Sequence, residues 1–113
     1  MSKSPIEYLR HVADEIAFLE HDVASCGEDR FMHDEILQRA ASRSLEIIGE
    51  AVKQVPEDVW SKYPHVDWKS FAGLRDKLIH HYFGVDYAIV WDILIHELPQ
   101  LQKELGEIIR KES

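Results

Sequence analysis

Cysteine is nearly absent: Cys26 is the only one among 113 residues. An internal disulfide is therefore impossible, a thiolate zinc site lacks its ligands, and a reducing, cytoplasmic setting is expected. A lone thiol before a turn also gives little support for a nucleophilic role. No apolar run is long enough to span a bilayer, and no basic start with an apolar centre marks a secretory leader. Glycine is scarce, with five residues and no phosphate-cradling loop. The seven histidines (11, 21, 33, 65, 80, 81, 96) contain no i, i+4 pair, and Glu-x-x-His does not occur, so a di-iron bundle lacks its ligand pattern. No metal or other cofactor is expected. Repeats and low-complexity tracts are missing as well.

Positive charge is also in deficit. Thirteen Lys and Arg face 21 Asp and Glu, a net charge of -8, which argues against broad, non-specific nucleic-acid binding. The imbalance is uneven. From Trp60 to Phe83 four cations (Lys62, Lys69, Arg75, Lys77) meet two anions (Asp67, Asp76), so this stretch carries +2 and the remainder -10. Either this is surface scatter or a local basic site holds one phosphate on an acidic body.

What is present fits one soluble domain over residues 1–113: 45% hydrophobic, 30% charged and helical in pattern throughout. Ser4-Pro5-Ile6-Glu7 reads as a capping box with proline in the first turn. Ile6, Leu9, Ala13, Ile16, Leu19 and Val23 follow at helical spacing, and Gly27 is the expected stop. A second helix is expected from Met32 or His33 to Gln54. Its apolar stripe comprises Ile36, Leu37, Ala40, Ser44, Leu45, Ile48, Ala51, Val52 and Val55. Gly49 costs this helix stability, which suggests a close neighbour. Residues 56–64 form a connector with one helical turn at Glu57 to Lys62. A third helix is expected from an Asp67 cap through Phe71, Leu74 and Leu78 towards Tyr82, ended by Gly84. Asp86 caps the fourth, with Val85 and Val90 as a hydrophobic staple and Trp91, Leu94, Leu98, Leu101, Leu105 and Ile108 on its buried face. Pro99 should kink or break it. The expected fold is all-α, an up-and-down four-helix bundle with a short extra helical turn in the connector.

The chemistry concentrates in Arg75-Asp76-Lys77-Leu78-Ile79-His80-His81-Tyr82. Arg75 is always charged and can grip two phosphate oxygens, or it can form a salt bridge to a bundle carboxylate such as Glu50. His80 titrates near neutrality and can move protons in phosphodiester cleavage, or it is a hydrogen-bonded structural histidine. On a continuous helix Asp76 lies one turn before His80 and could orient its ring. His81 and Lys77 are supporting candidates. At 100° per residue Tyr82 returns to within about 20° of Arg75, whereas His80 lies about 140° away. One ideal helix does not gather all three, so either the helix end distorts near Gly84 or two copies share a site. Trp60, Tyr63, Trp68 and Phe71 either stack bases or pin the connector.

This run matches Arg-x-x-x-x-His-x-Tyr, and the chain resembles the HEPN superfamily, specifically its HepT-like ribonuclease branch. Leu45-Glu46-Ile47-Ile48-Gly49-Glu50-Ala51 is similar to that branch's Leu-Glu-x-x-Gly-Glu-Ala helix. Asp67 to Arg75 resembles the Trp-containing approach to the motif. His80 to Asp86 and Val90-Trp91-Asp92-Ile93 resemble the exit and the last long helix. The likeness covers roughly residues 5 to 105; His81 stands where an acidic or polar residue is common. The resemblance implies a dimeric helical bundle and a metal-independent endoribonuclease toxin with Arg75 and His80 as catalytic pair at a cleft between two copies. It further implies an MntA-like nucleotidyltransferase antitoxin, in a type VII-like pairing, that attaches AMP to Tyr82, with ATP and Mg needed by that partner alone. The alternative is a non-catalytic module that holds a nucleotidyltransferase or a nucleotide.

Overall fold

The computed structural model of the chain describes residues 4–81 and 84–113, with residues 79–81 described by their backbone alone. The described residues are nearly all helical. Helix α1 (Pro5–Phe18) opens as expected: Ser4 Oγ accepts from Glu7 N–H, and Glu7 returns the bond to Ser4 N–H. The run continues through a π turn (Leu19–Val23) and a 3-10 turn (Ala24–Cys26), and Gly27 ends it at φ +89°. That backbone region favours glycine because a Cβ is strained there.

The second expected helix starts two or three residues late, and a short unexpected helix precedes it. A short α2 (Glu28–His33) is anchored by the buried Phe31, which meets Trp91 at 5.3 Å between ring centroids. Helix α3 (Glu35–Gln54) begins anew at Asp34, whose carboxylate accepts from Ile36 and Leu37 N–H at 3.0 and 3.1 Å. Those bonds, Leu37's foremost, hold the Asp34 carboxyl below its ordinary pKa. One residue of the expected stripe is corrected. Ile36 is 81% exposed, because it lies about 180° around α3 from the fully buried Leu45.

Helix α4 (Glu57–Lys62) is the expected turn in the connector. The aromatics pin it rather than present open rings. Trp60 and Trp68 stack with centroids 6.1 Å apart, Trp68 Nε1–H donates to the Tyr63 carbonyl at 2.9 Å, and Tyr63, Trp68 and Phe71 are buried. Tyr63 Oη–H donates to Glu112 at the far end of the chain, and Lys62 Nζ joins it at 2.8 Å. The bond from Lys62, then that from Tyr63, lowers the Glu112 carboxyl, while the same partnership raises Lys62 and Tyr63.

The expected third helix is the largest correction. It divides into α5 (Trp68–Ala72) and α6 (Leu74–Leu78), separated at Gly73. Asp67 occupies the cap position of α5 without a side-chain cap bond. After Leu78 the chain is extended: β1 (Ile79–His81) pairs antiparallel with β2 (Gly84–Val85). Gly84 therefore opens a return strand, at φ +103°, instead of ending a helix.

Asp86 then caps α7 (Tyr87–Asp92), accepting from Ala88 and Ile89 N–H. Val90 is fully buried and Val85 packs against the core, as a staple requires. A π turn (Ile93–Glu97) leads into α8 (Leu98–Glu112), with Pro99 in its first turn. Proline is tolerated there because its missing N–H has no helical partner to lose. The break expected at Pro99 thus takes the form of a π turn, in which Leu98 N–H reaches back to the Ile93 carbonyl.

Helix α1 packs on α3 and α8, and α3 also carries α5 and α6. The buried apolar side chains of these elements form one cluster. Gly49 explains the close seat of α5 and α6 on α3. A Cβ there would lie 3.4 Å from the Phe71 carbonyl oxygen and 3.5 Å from Leu74 Cβ. No helix among the described residues is long and apolar enough to cross a membrane.

Candidate active site

Arg75 sits on α6 between Leu74 and Leu78, both essentially fully buried. These leucines fix the helix to the core and leave Arg75 and Asp76 exposed. Among the described residues Arg75 forms no ion pair. The expected partner Glu50 instead pairs with Lys53 at 3.7 Å and lines a groove between α1 and α3 beside Tyr8 and His11. Lys77 is held by Glu97 at 3.5 Å, which ties α6 to the π turn before α8.

These pairings also resolve the basic stretch. Lys62 meets Glu112 at one end of α8 and Lys77 meets Glu97 at the other. Fifteen helical residues separate the two carboxylates by about 22 Å. The four cations are therefore not one patch, and two of them are already neutralised. Lys69 and Arg75 remain exposed and form no ion pair among the described residues. Counting charge along the chain misses this, because Glu97 and Glu112 arrive from another helix.

His80 lies on β1, not on a helix. Ile79 faces Val85 and His81 faces Gly84, so two steps on one strand match a single step on the other. His80 is the extra residue of that irregular ladder. Bulges of this kind are over-represented beside active sites, where they redirect a position out of the regular alternation. The i-4 relation expected between Asp76 and His80 does not hold, because the helix ends at Leu78. The 140° separation of Arg75 and His80 loses its premise for the same reason. So does the argument from that angle for two copies sharing a site. The expectations for Tyr82 lie outside the described residues, as do those for the His80 and His81 side chains.

The arrangement is a guanidinium mounted on α6 four residues before the strand that carries two imidazole-bearing residues. An exposed arginine free of carboxylates can bind phosphate, and histidine chemistry adjoins it in the chain. Among the described residues no group of three or more His, Cys, Asp or Glu could hold a metal ion.

The family model described as "Ribonuclease HepT-like" matches residues 9–108. A protein of Caldanaerobacter subterraneus subsp. tengcongensis, named as a "putative RNase", is 48% identical over 98% of this chain and 99% of its own length. A Thermococcus cleftensis protein named "probable ribonuclease HepT" is 40% identical over 96% of this chain and 98% of its own. A Methanocaldococcus jannaschii protein, also named as a "putative RNase", is 58% identical over 73% of this chain and 68% of its own. No solved structure matches the chain. With the family model covering most of the chain and two relatives similar over nearly their whole length, the chain belongs to the HepT-like ribonuclease family.

Proposed function

We propose that this protein is a metal-independent endoribonuclease toxin whose catalytic pair is Arg75 and His80. In this reading the His80 imidazole takes the proton from an RNA 2′-hydroxyl. The 2′-oxygen bonds to the adjacent phosphorus, and the bond from phosphorus to the 5′-oxygen breaks. The leaving oxygen takes a proton from an imidazolium, giving a 2′,3′-cyclic phosphate and a 5′-hydroxyl end. Arg75 stabilises the negative charge that crowds the phosphorane-like transition state. A second copy supplies the other wall of the cleft. Asp76, Lys77, His81 and Glu50 are not placed in the reacting set.

The observation that carries this reading is the membership of the HepT-like ribonuclease family, joined to an exposed Arg75 that no described carboxylate claims. Lys77 is tied to Glu97, so Arg75 is the cation of α6 left for phosphate. Control falls to Tyr82. An MntA-like nucleotidyltransferase, using ATP and Mg, attaches AMP to its hydroxyl, and the added negative charge and bulk close the site to RNA.

The test is cleavage of defined RNAs in EDTA by the full chain, beside Arg75→Ala and His80→Ala. Cleavage by the wild type, lost in both variants, supports the reading. Equal cleavage by all three overturns the residue assignment. No cleavage by unmodified protein, with tight capture of a nucleotidyltransferase, favours the binding-module reading, which the net charge of -8 recommends. Mass spectrometry of the same sample tells whether Tyr82 carries AMP.

A further inference from the structure

A cavity of about 460 Å³ opens where α2, α3 and the start of α7 meet. Met32, His33, Glu35, Gln38, Arg39 and Tyr87 line it. The buried Phe31 fixes two of these side chains. Its ring meets the half-buried Tyr87 ring edge-on, 6.3 Å between centroids, and its carbonyl oxygen accepts from Gln38 Nε2–H at 3.0 Å. A carbonyl oxygen can only accept, so the Gln38 amide has one orientation and its Oε1 is left over as an acceptor. His33 is set in the same way. Its Nδ1–H donates to the Asp29 carbonyl oxygen at 2.8 Å, which leaves Nε2 of the neutral ring as a second acceptor. Arg39 is held by Glu35 at 2.6 Å, but both side chains are exposed, and an exposed pair of this kind yields readily to a phosphate.

A ring of fixed orientation, an exposed thioether, two fixed acceptors and one arginine suit a nucleobase and its phosphate. The ring stacks on the base, and the acceptors bond the amino group that adenine, cytosine and guanine carry and uracil lacks. Composition makes such a site useful. A chain of net charge -8 has little basic surface to hold RNA, so stacking and hydrogen bonds must supply what charge does not.

The chain ties this cavity to the motif. Tyr87 follows Val85 by two residues, and Val85 faces Ile79, the neighbour of His80. These steps put the Cα atoms of Tyr87 and His80 within about 17 Å of each other. A stacked strand rises roughly 3.4 Å per nucleotide, so that distance spans at most about five nucleotides, and fewer in an extended strand.

We infer that this cavity is a base-binding subsite for single-stranded RNA within about five nucleotides of the scissile bond, with Tyr87 as the stacking platform and Gln38 and His33 as readers of an amino-bearing base. The inference rests on the ribonuclease reading for its substrate and adds to it a determinant of sequence preference.

The experiment is the binding of fluorescently labelled pentacytidylate and pentauridylate to the full chain carrying His80→Ala, followed by anisotropy, so that RNA is not consumed. The two pyrimidines stack alike and differ in the amino group. Pentacytidylate is expected to bind more tightly. Adding Tyr87→Leu should weaken its binding about 5- to 100-fold, whereas Tyr87→Phe keeps the ring and leaves it unchanged. Gln38→Met should abolish the preference for cytidine. Urea midpoints of all variants are compared, and if Tyr87→Leu fails to fold, Gln38→Met decides: a preference that survives it overturns the inference. Equal binding with and without a folded Tyr87→Leu also overturns it, as does failure of both pentamers to bind. Equal affinity of the parent for the two pentamers overturns the assignment of Gln38 and His33. Cleavage of a defined RNA by the wild type is scored beside these. Cleavage without Tyr87-dependent binding fells this inference alone, and Tyr87-dependent binding without cleavage counts against the ribonuclease reading alone.

Discussion

Gly49 makes a sharp test of how α3 carries the motif helix. Its missing side chain lets the Phe71 carbonyl and Leu74 stand 3.4 and 3.5 Å from where a Cβ would be. Alanine fits that space at the edge of ordinary contact. It also removes a helix-interior glycine, a gain of roughly 0.8–1.0 kcal/mol. Gly49→Ala is thus expected to leave stability unchanged or raise it by up to about 1 kcal/mol. Gly49→Val is expected to do the opposite. Its γ-carbons extend about 1.5 Å past Cβ, so one directed at that wall would stand about 2 Å from it, well inside contact. Helices α5 and α6 must retreat, and overpacking of this kind costs about 1–3 kcal/mol. Urea unfolding followed by the fluorescence of Trp60, Trp68 and Trp91 reads the difference as a midpoint shift at constant slope. RNA cleavage by Gly49→Val should fall further than its folded fraction accounts for, because Arg75 moves with α6. A valine variant as stable as wild type, or an alanine variant as damaged as the valine, would refute the close approach of these helices.

The other predictions concern caps and pH. Asp86→Ala removes the acceptor for Ala88 and Ile89 N–H and should cost about 1 kcal/mol, read as a lowered urea midpoint. Glu112 has a pKa held below its ordinary 4.5, so its contribution is present above that value and fades as pH falls through the lowered one. Lys62 and Tyr63 are raised from 10.5 and 10.0, so theirs is present below those values and is lost as pH rises through the raised ones. Glu112→Gln should therefore be less stable than wild type at pH 7 and converge with it in acid. Thermal melts that stay equally separated from pH 7 down to pH 2 would rule this out.

Much of the helical frame is legible from local signals. The Ser4 capping box, the Gly27 stop, the turn at Glu57 to Lys62 and the Asp86 cap each depend on residues within a few positions of one another. The third helix fails for the complementary reason. Leu74, Leu78 and Tyr82 keep helical spacing, yet pairing of Ile79 and His81 with residues on the far side of Tyr82 overrides it. Ile36 misleads because it is apolar and adjoins Leu37 of the stripe, yet it lies on the opposite side of α3 from Leu45. Arg75 was legible as chemistry from its motif. Its freedom from Glu50 was not, since that depends on how α3 is rotated about its axis.

The clasp of Tyr63 and Lys62 on Glu112 has a practical side. Ser4, Pro5 and Glu112 line one groove, and Arg10 reaches Ser113, so the first and last helical turns share a pole of the molecule. Lys77 and Glu97 mark the opposite end of α8. A purification tag, a fluorophore or an entire second domain joined at either end would hang from the pole remote from α6. Attachment there leaves the approach to Arg75 open, and two labels placed at the two ends would report on the clasp rather than on the site.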